Sequence, residues 1–176
     1  MGAIVLTLIG LTGLGCATSF SPEMIRAEIV RQRGEDPLSV FEFTLGRFTT
    51  LLLQGVLAVE GEQELPFAGL QELQLAVYEA PSDAGPALDV TLIPVRGWER
   101  VVQIHDASRS GTILVRSAGA DVADLVVVGA SARQVVYGRL SGRLSRELPA
   151  ALGEVLREGG PDEVRRVLTK LTEDES

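Results

Sequence analysis

The chain has 176 residues, which suits a single domain, and 45% of them are hydrophobic against 23% charged. This balance is ordinary for a globular protein and excludes both a disordered chain and a protein with many membrane spans. Because the chain has one cysteine and one histidine, internal disulfides, cysteine-based zinc or iron–sulfur sites and paired-histidine metal sites are also excluded.

The formal net charge of −8 is unevenly distributed. Residues 48–95 contain seven acids and no Lys or Arg, whereas residues 96–146 contain eight arginines and four acids. We expect the two segments to attract each other within one domain, or the arginines to form a basic patch for an anionic partner. Nucleic acid is not an expected partner, because the protein as a whole is acidic.

Residues 1–17 are uncharged and mostly apolar, which predicts a signal peptide. The run is too short to span a bilayer. Gly15-Cys16 resembles the bacterial lipoprotein signal, in which the thiol after a small residue is acylated, although Gly13 stands where that signal normally has Leu. We therefore predict lipidation of Cys16. Cleavage after Ala17 by the ordinary signal peptidase and a buried N-terminal element are the alternatives.

Residues 18–37 are predicted to form a tether and a short helix, which begins at Ser21-Pro22-Glu23 and ends near Gln32. Alternating apolar residues from Leu38 to Leu45 predict a half-buried strand. Apolar residues at helical spacing from Phe48 to Val59 predict a second helix. Alternation around Leu73, Leu75 and Val77 predicts the next strand.

Trp98, Val101, Val102 and His105 share one helical face, which predicts a third helix. A strand is predicted for residues 111–117, and two valine-rich runs, 125–129 and 134–140, predict a hairpin. Two amphipathic helices follow, the second opened by Gly160-Pro161-Asp162. The repeat over residues 138–145 is predicted to lead from the last strand into the first tail helix.

These elements predict an α+β fold. We expect a single two-layer domain over residues 38–171, with a mixed, mostly antiparallel sheet of about five strands and amphipathic helices packed on one face. Residues 172–176 are expected to be a frayed tail.

No catalytic motif is present in the sequence. There is no glycine-rich phosphate loop, and Ser131 lacks the second glycine of a nucleophile elbow. We interpret His105 as structural, and Glu60, Glu62 and Glu64 as a solvated acidic loop instead of a calcium site. The chain is therefore predicted to have no catalytic residues, metal or cofactor.

Three segments resemble an uncharacterised bacterial exported family, domain of unknown function 4252. They are residues 70–79, ending in Val77-Tyr78-Glu79, residues 97–102 with Trp98, and the valine-rich hairpin ending in Leu140-Ser141-Gly142. Together they span about residues 38–155. The family often has acids after the glycine that matches Gly142, whereas Arg143 and Arg146 follow here. The resemblance implies export, frequent lipidation and no established activity.

We therefore expect a membrane-tethered, non-enzymatic interaction or accessory protein of the bacterial envelope. It would bind an envelope protein and contact the membrane through lipid on Cys16, facing the periplasm if the cell has an outer membrane. The alternative is a ligand-binding protein or hydrolase with a cleft near Trp98, His105 and Arg109. A self-associating structural domain is a third hypothesis.

Overall fold

The computed structural model describes residues 20–46, 69–79 and 88–173. In chain order the elements are α1 (Pro22–Arg33), β1 (Leu38–Leu45), β2 (Leu70–Glu79), a 3-10 turn (Val90–Leu92), β3 (Glu99–His105), β4 (Arg109–Ala118), β5 (Asp121–Ser131), β6 (Gln134–Leu144) and α2 (Leu148–Glu173). The α+β class predicted from the sequence is confirmed. The predicted helix from Phe48 to Val59, the acidic loop and Cys16 lie outside the described residues.

The described strands form one sheet of six, in the order β1-β2-β6-β5-β4-β3. Every neighbouring pair is antiparallel, so the sheet is not mixed and has one strand more than predicted. Strands β3 to β6 are consecutive neighbours, as expected for strands joined by short turns. The predicted hairpin is β5–β6, in which Ala130 lies opposite Val135.

One face of the sheet packs against α2. Leu148, Leu152 and Leu156, which recur at four-residue spacing, are buried against Leu125, Val127 and other inward residues of the strands. A left-handed φ of 62° at Gly160 breaks α2 into the two helical segments that the sequence predicted. The apolar stripe predicted after Pro161 lies outside the side chains that the structure describes.

The opposite face is covered by α1 and the segment leading into β3. Phe20, Ile25 and Ile29 are buried together with Leu88, Val90 and Trp98 against the other side of the same strands. The hydroxyl of Tyr137 donates to the Phe20 carbonyl at 3.0 Å, and that of Tyr78 donates to the Pro22 carbonyl at 3.1 Å. Helices therefore contact both faces of the sheet. The predicted two-layer arrangement with helices on one face does not describe this fold.

The predicted helix from Trp98 to His105 is wrong, because this segment is the edge strand β3. Its pairing register with β4 shifts between Arg100 and Val102. A β-bulge adds one residue and inverts the alternation that follows. The apolar residues before and after the bulge consequently fall at the three- and four-residue spacing of a helix.

The repeat over residues 138–145 is also placed differently from the prediction. It lies within β6 up to Leu144, and α2 begins only at Leu148. Gly142 has a φ of 146° and faces a second register shift, between Leu70 and Glu72 of β2. At this bulge the Arg143 amide donates to the Gly69 carbonyl at 2.9 Å, so the two backbones lie in close contact.

Candidate functional site

The structure does not bring together the three residues of the predicted cleft. Trp98 is buried in the α1 face, where its ring meets Phe20 edge-on at 5.4 Å and lies under the guanidinium of Arg116. His105 lies at the other end of β3, roughly 20 Å away at the rise of an extended strand. Arg109 lies across the β3–β4 turn and binds Asp106 at 2.9 Å. No common cleft is formed by these side chains.

His105 belongs to a contact that ties β3 to the 3-10 turn. Its Nδ1 lies 3.6 Å from the Asp89 carboxylate, which also accepts from the amide and hydroxyl of Thr91. These Thr91 hydrogen bonds lower the pKa of Asp89, and His105 lowers it further. Gln32 of α1 bonds both to the Asp89 amide and to its carbonyl. His105 thus lies at the end of an edge strand with its side chain half exposed, and its structural role stays a prediction.

The arginine-rich segment pairs largely with its own acids. Asp106 binds Arg109, Asp121 lies 3.7 Å from Arg143, and Asp124 binds both Arg116 and Arg139. Within the described residues these pairs connect neighbouring strands of the sheet and do not connect it to residues 48–95. The two charged segments do meet at Asp89, whose pKa is lowered first by Thr91 and then further by His105 and Arg100. Attraction between the segments as a whole stays a prediction.

Strand β1 is a candidate interaction surface. It lies at one edge of the sheet, and in the described part of the chain its only strand neighbour is β2. Leu38, Val40 and Phe41 are 63%, 51% and 43% exposed. The strand contains no Lys, Arg or Pro, and Glu42 is its single charge. Proteins usually protect such edges with charges, prolines or a covering element.

The opposite edge, β3, is protected in these ways. It carries Glu99, Arg100 and His105, and it contacts α2. Arg100 further binds the Ile93 carbonyl in the segment before the strand. In the described part of the chain the two edges of the sheet are therefore not equivalent, and β1 is the less charged and the more apolar of the two.

A cleft of about 480 Å³ lies between the first turns of α2 and strands β3 to β5. Its apolar wall includes Val102, Val115 and Val122. Gly153 of α2 lies opposite, where an added Cβ would come within 3.0 Å of Val102. The volume is in the range of small-molecule sites, which run from about 300 to 1,000 Å³. The cleft is consequently large enough for a small ligand.

The rim of this cleft is charged. Arg146, which precedes α2, donates from Nε to the Ala120 carbonyl in the β4–β5 turn. Further along α2, Arg157 binds Glu154 at 2.6 Å. Asp121 also lines the cleft. No local sequence pattern marks this site, because its lining residues are spread over residues 101–157.

Comparison with protein-family models gives no match, and neither a curated protein nor a solved structure matches the chain. Among the helices that the structure describes, none is long and apolar enough to cross a membrane. Residues 20–46, 69–79 and 88–173 contain no group of three His, Cys, Asp or Glu side chains that could hold a metal ion. Function is therefore inferred from the surfaces described above.

Proposed function

We propose that this chain is a membrane-tethered, non-enzymatic interaction protein of the bacterial envelope, and that it binds its partner along β1. The exposed and mostly apolar edge of β1, whose single charge is Glu42, carries the proposal. An extended segment of another protein would add to the sheet as a further strand, with main-chain hydrogen bonds giving affinity and alternate side chains giving specificity. Membership of domain of unknown function 4252 is part of the same proposal and rests on the three segments noted above.

The chemistry of β1 defines the expected partner segment. Leu38, Val40 and Phe41 favour apolar side chains opposite them, because burying this surface removes it from water. Glu42 is exposed on the strand, and Glu79 is exposed at the adjoining end of β2. Opposite charges across a strand pair are favourable. We expect an apolar segment that carries a Lys or Arg opposite Glu42.

Partner capture from the envelope tests the use of β1. The tagged full-length protein is crosslinked in its own cells beside a Leu38→Lys/Val40→Lys variant, whose altered side chains are both more than half exposed and so leave the core intact. Leu92→Lys, at a 58% exposed residue of the 3-10 turn, is the matched control. We expect one near-stoichiometric partner with the wild type and the control, and its loss with the double variant.

Two results would contradict this use of β1. Equal recovery of the partner with the double variant would place binding elsewhere. The wild type could also double in molecular mass as its concentration rises, while the double variant stays monomeric. This result would show that a second copy of the chain occupies β1.

The tether is tested separately. The thiol of Cys16 is the only one available for acylation in this chain. Stable anchoring needs more than one acyl chain, since a single chain binds membranes only marginally. We expect Cys16→Ser to move the protein from the membrane fraction to the soluble fraction; an unchanged distribution would remove lipidation from the proposal.

A further inference from the structure

The cleft beside α2 contains one arginine that no neighbouring carboxylate neutralises. Its charged lining consists of two arginines, Arg146 and Arg157, and two acids, Asp121 and Glu154. Glu154 is paired with Arg157, and Arg143 lies near Asp121. Arg146 is left without a carboxylate partner in the described part of the chain, although the formal net charge of the protein is −8.

Arg146 is also held in position. Its Nε donates to the Ala120 carbonyl on the opposite side of the cleft, so the side chain is fixed at one end of the opening. The two terminal nitrogens make no hydrogen bond to the described residues. Because the guanidinium group is planar, the Nε hydrogen bond also fixes the orientation of these two nitrogens. A guanidinium in this state binds a carboxylate through two parallel hydrogen bonds. The arginine thus offers one site for one anionic group.

The remainder of the cleft is suited to an apolar body. Val102, Val115 and Val122 form its wall, and Gly153 lets α2 approach Val102 closely. Val101 and Ala150, which are both exposed, extend the apolar surface to the rim. Ligand sites commonly combine such an apolar lining with a few polar groups that fix orientation.

We propose that this cleft binds a small amphipathic carboxylate, with its head group on Arg146 and its apolar body along the three valines. The site is independent of the proposed partner strand, because β1 and the cleft lie at opposite edges of the sheet. Binding at one is expected to leave the other available.

Calorimetric titration of the purified full-length protein with decanoate at neutral pH tests the proposal. We expect saturable binding that Arg146→Gln weakens by at least about tenfold, the lower end of what a hydrogen bond to a charged group contributes. Ala150→Phe, at an exposed position on the rim, is expected to reduce binding by filling the opening. Arg26→Gln on α1 is the matched control and should bind decanoate as the wild type does.

Head-group specificity is tested with decanol and decyl phosphate. Decanol should bind at least about tenfold more weakly than decanoate, because it cannot form the charged pair. Absence of saturable decanoate binding, equal binding by Arg146→Gln, or equal binding of decanol would each overturn the proposal. Tighter binding of decyl phosphate would overturn the choice of a carboxylate.

Discussion

Asp124 is a buried carboxylate shared by three strands. It lies on β5, is 5% exposed, and accepts from Arg116 of β4 at 2.9 Å and from Arg139 and Ser141 of β6 at 2.8 and 2.7 Å. Burial raises the pKa of Asp124 and is the largest single effect, but the hydrogen bonds from Ser141, Arg139 and Arg116 together lower it below its ordinary value. The carboxylate is therefore charged in the folded protein.

We expect Asp124→Asn to lower the free energy of unfolding by about 2–3 kcal/mol, since a buried ion pair that loses one partner leaves the other charge unpaired. The cost stays below that of a fully buried pair because Arg116 retains contact with water. Denaturant unfolding followed by Trp98 fluorescence measures it. Asp36→Asn removes the exposed pair with Arg26 and should cost much less, because water screens an exposed ion pair. Equal costs in the two variants would contradict this account.

The same carboxylate predicts a pH dependence. Because the pKa of Asp124 is lower in the folded than in the unfolded chain, the unfolded chain takes up the proton first as pH falls. Its contribution is present above the unfolded pKa, about 3.9, and is lost as pH falls through the folded pKa. We expect the difference in free energy of unfolding between wild type and Asp124→Asn to shrink below about pH 4. A difference that stays constant in acid would assign the effect to packing.

At the scale of elements, the bulge between β2 and β6 depends on Gly142. A Cβ at this residue would overlap the Gly69 carbonyl oxygen, and the φ of 146° is unfavourable for other residues. We expect Gly142→Ala to destabilise the protein by about 3 kcal/mol or more, since backbone strain and overpacking add. Gly97→Ala is the control, because Gly97 has a positive φ but open space around it, and should cost about 1–2 kcal/mol. Thermal unfolding of both variants checks the difference; similar losses would contradict the close contact.

Some elements of the fold follow from local sequence patterns, and others do not. Strands β1, β2, β4, β5 and β6 and the break at Gly160 were predicted because alternation and the Gly-Pro pair are local signals. The pattern of β3 predicts a helix because its bulge inverts the alternation, and no local signal marks a bulge. The exposed edge at β1 and the cleft at Arg146 could not be predicted, since both depend on which distant strands become neighbours.

At the scale of the whole molecule, two tyrosines hold α1 and its leading segment onto the sheet. Tyr78 and Tyr137, the only tyrosines in the chain, donate to the carbonyls of Pro22 and Phe20. Burial, aided by the charges of Glu42 and Glu23, raises the pKa of Tyr78 to about 12. Burial also raises the pKa of Tyr137. Both phenols are therefore protonated in the folded protein at neutral pH.

These shifts predict how the protein unfolds in alkali. Because both folded pKa values lie above the unfolded value of about 10, their contribution to stability is complete below that pH and is lost as pH rises through the folded values. We expect ultraviolet absorbance to show no phenolate near pH 10 and a cooperative rise near or above pH 12, together with the change in Trp98 fluorescence. The urea-unfolded chain, as control, should titrate near pH 10. Phenolate formation at that pH in the native protein would show that the segment from Phe20 to Pro22 does not cover these rings.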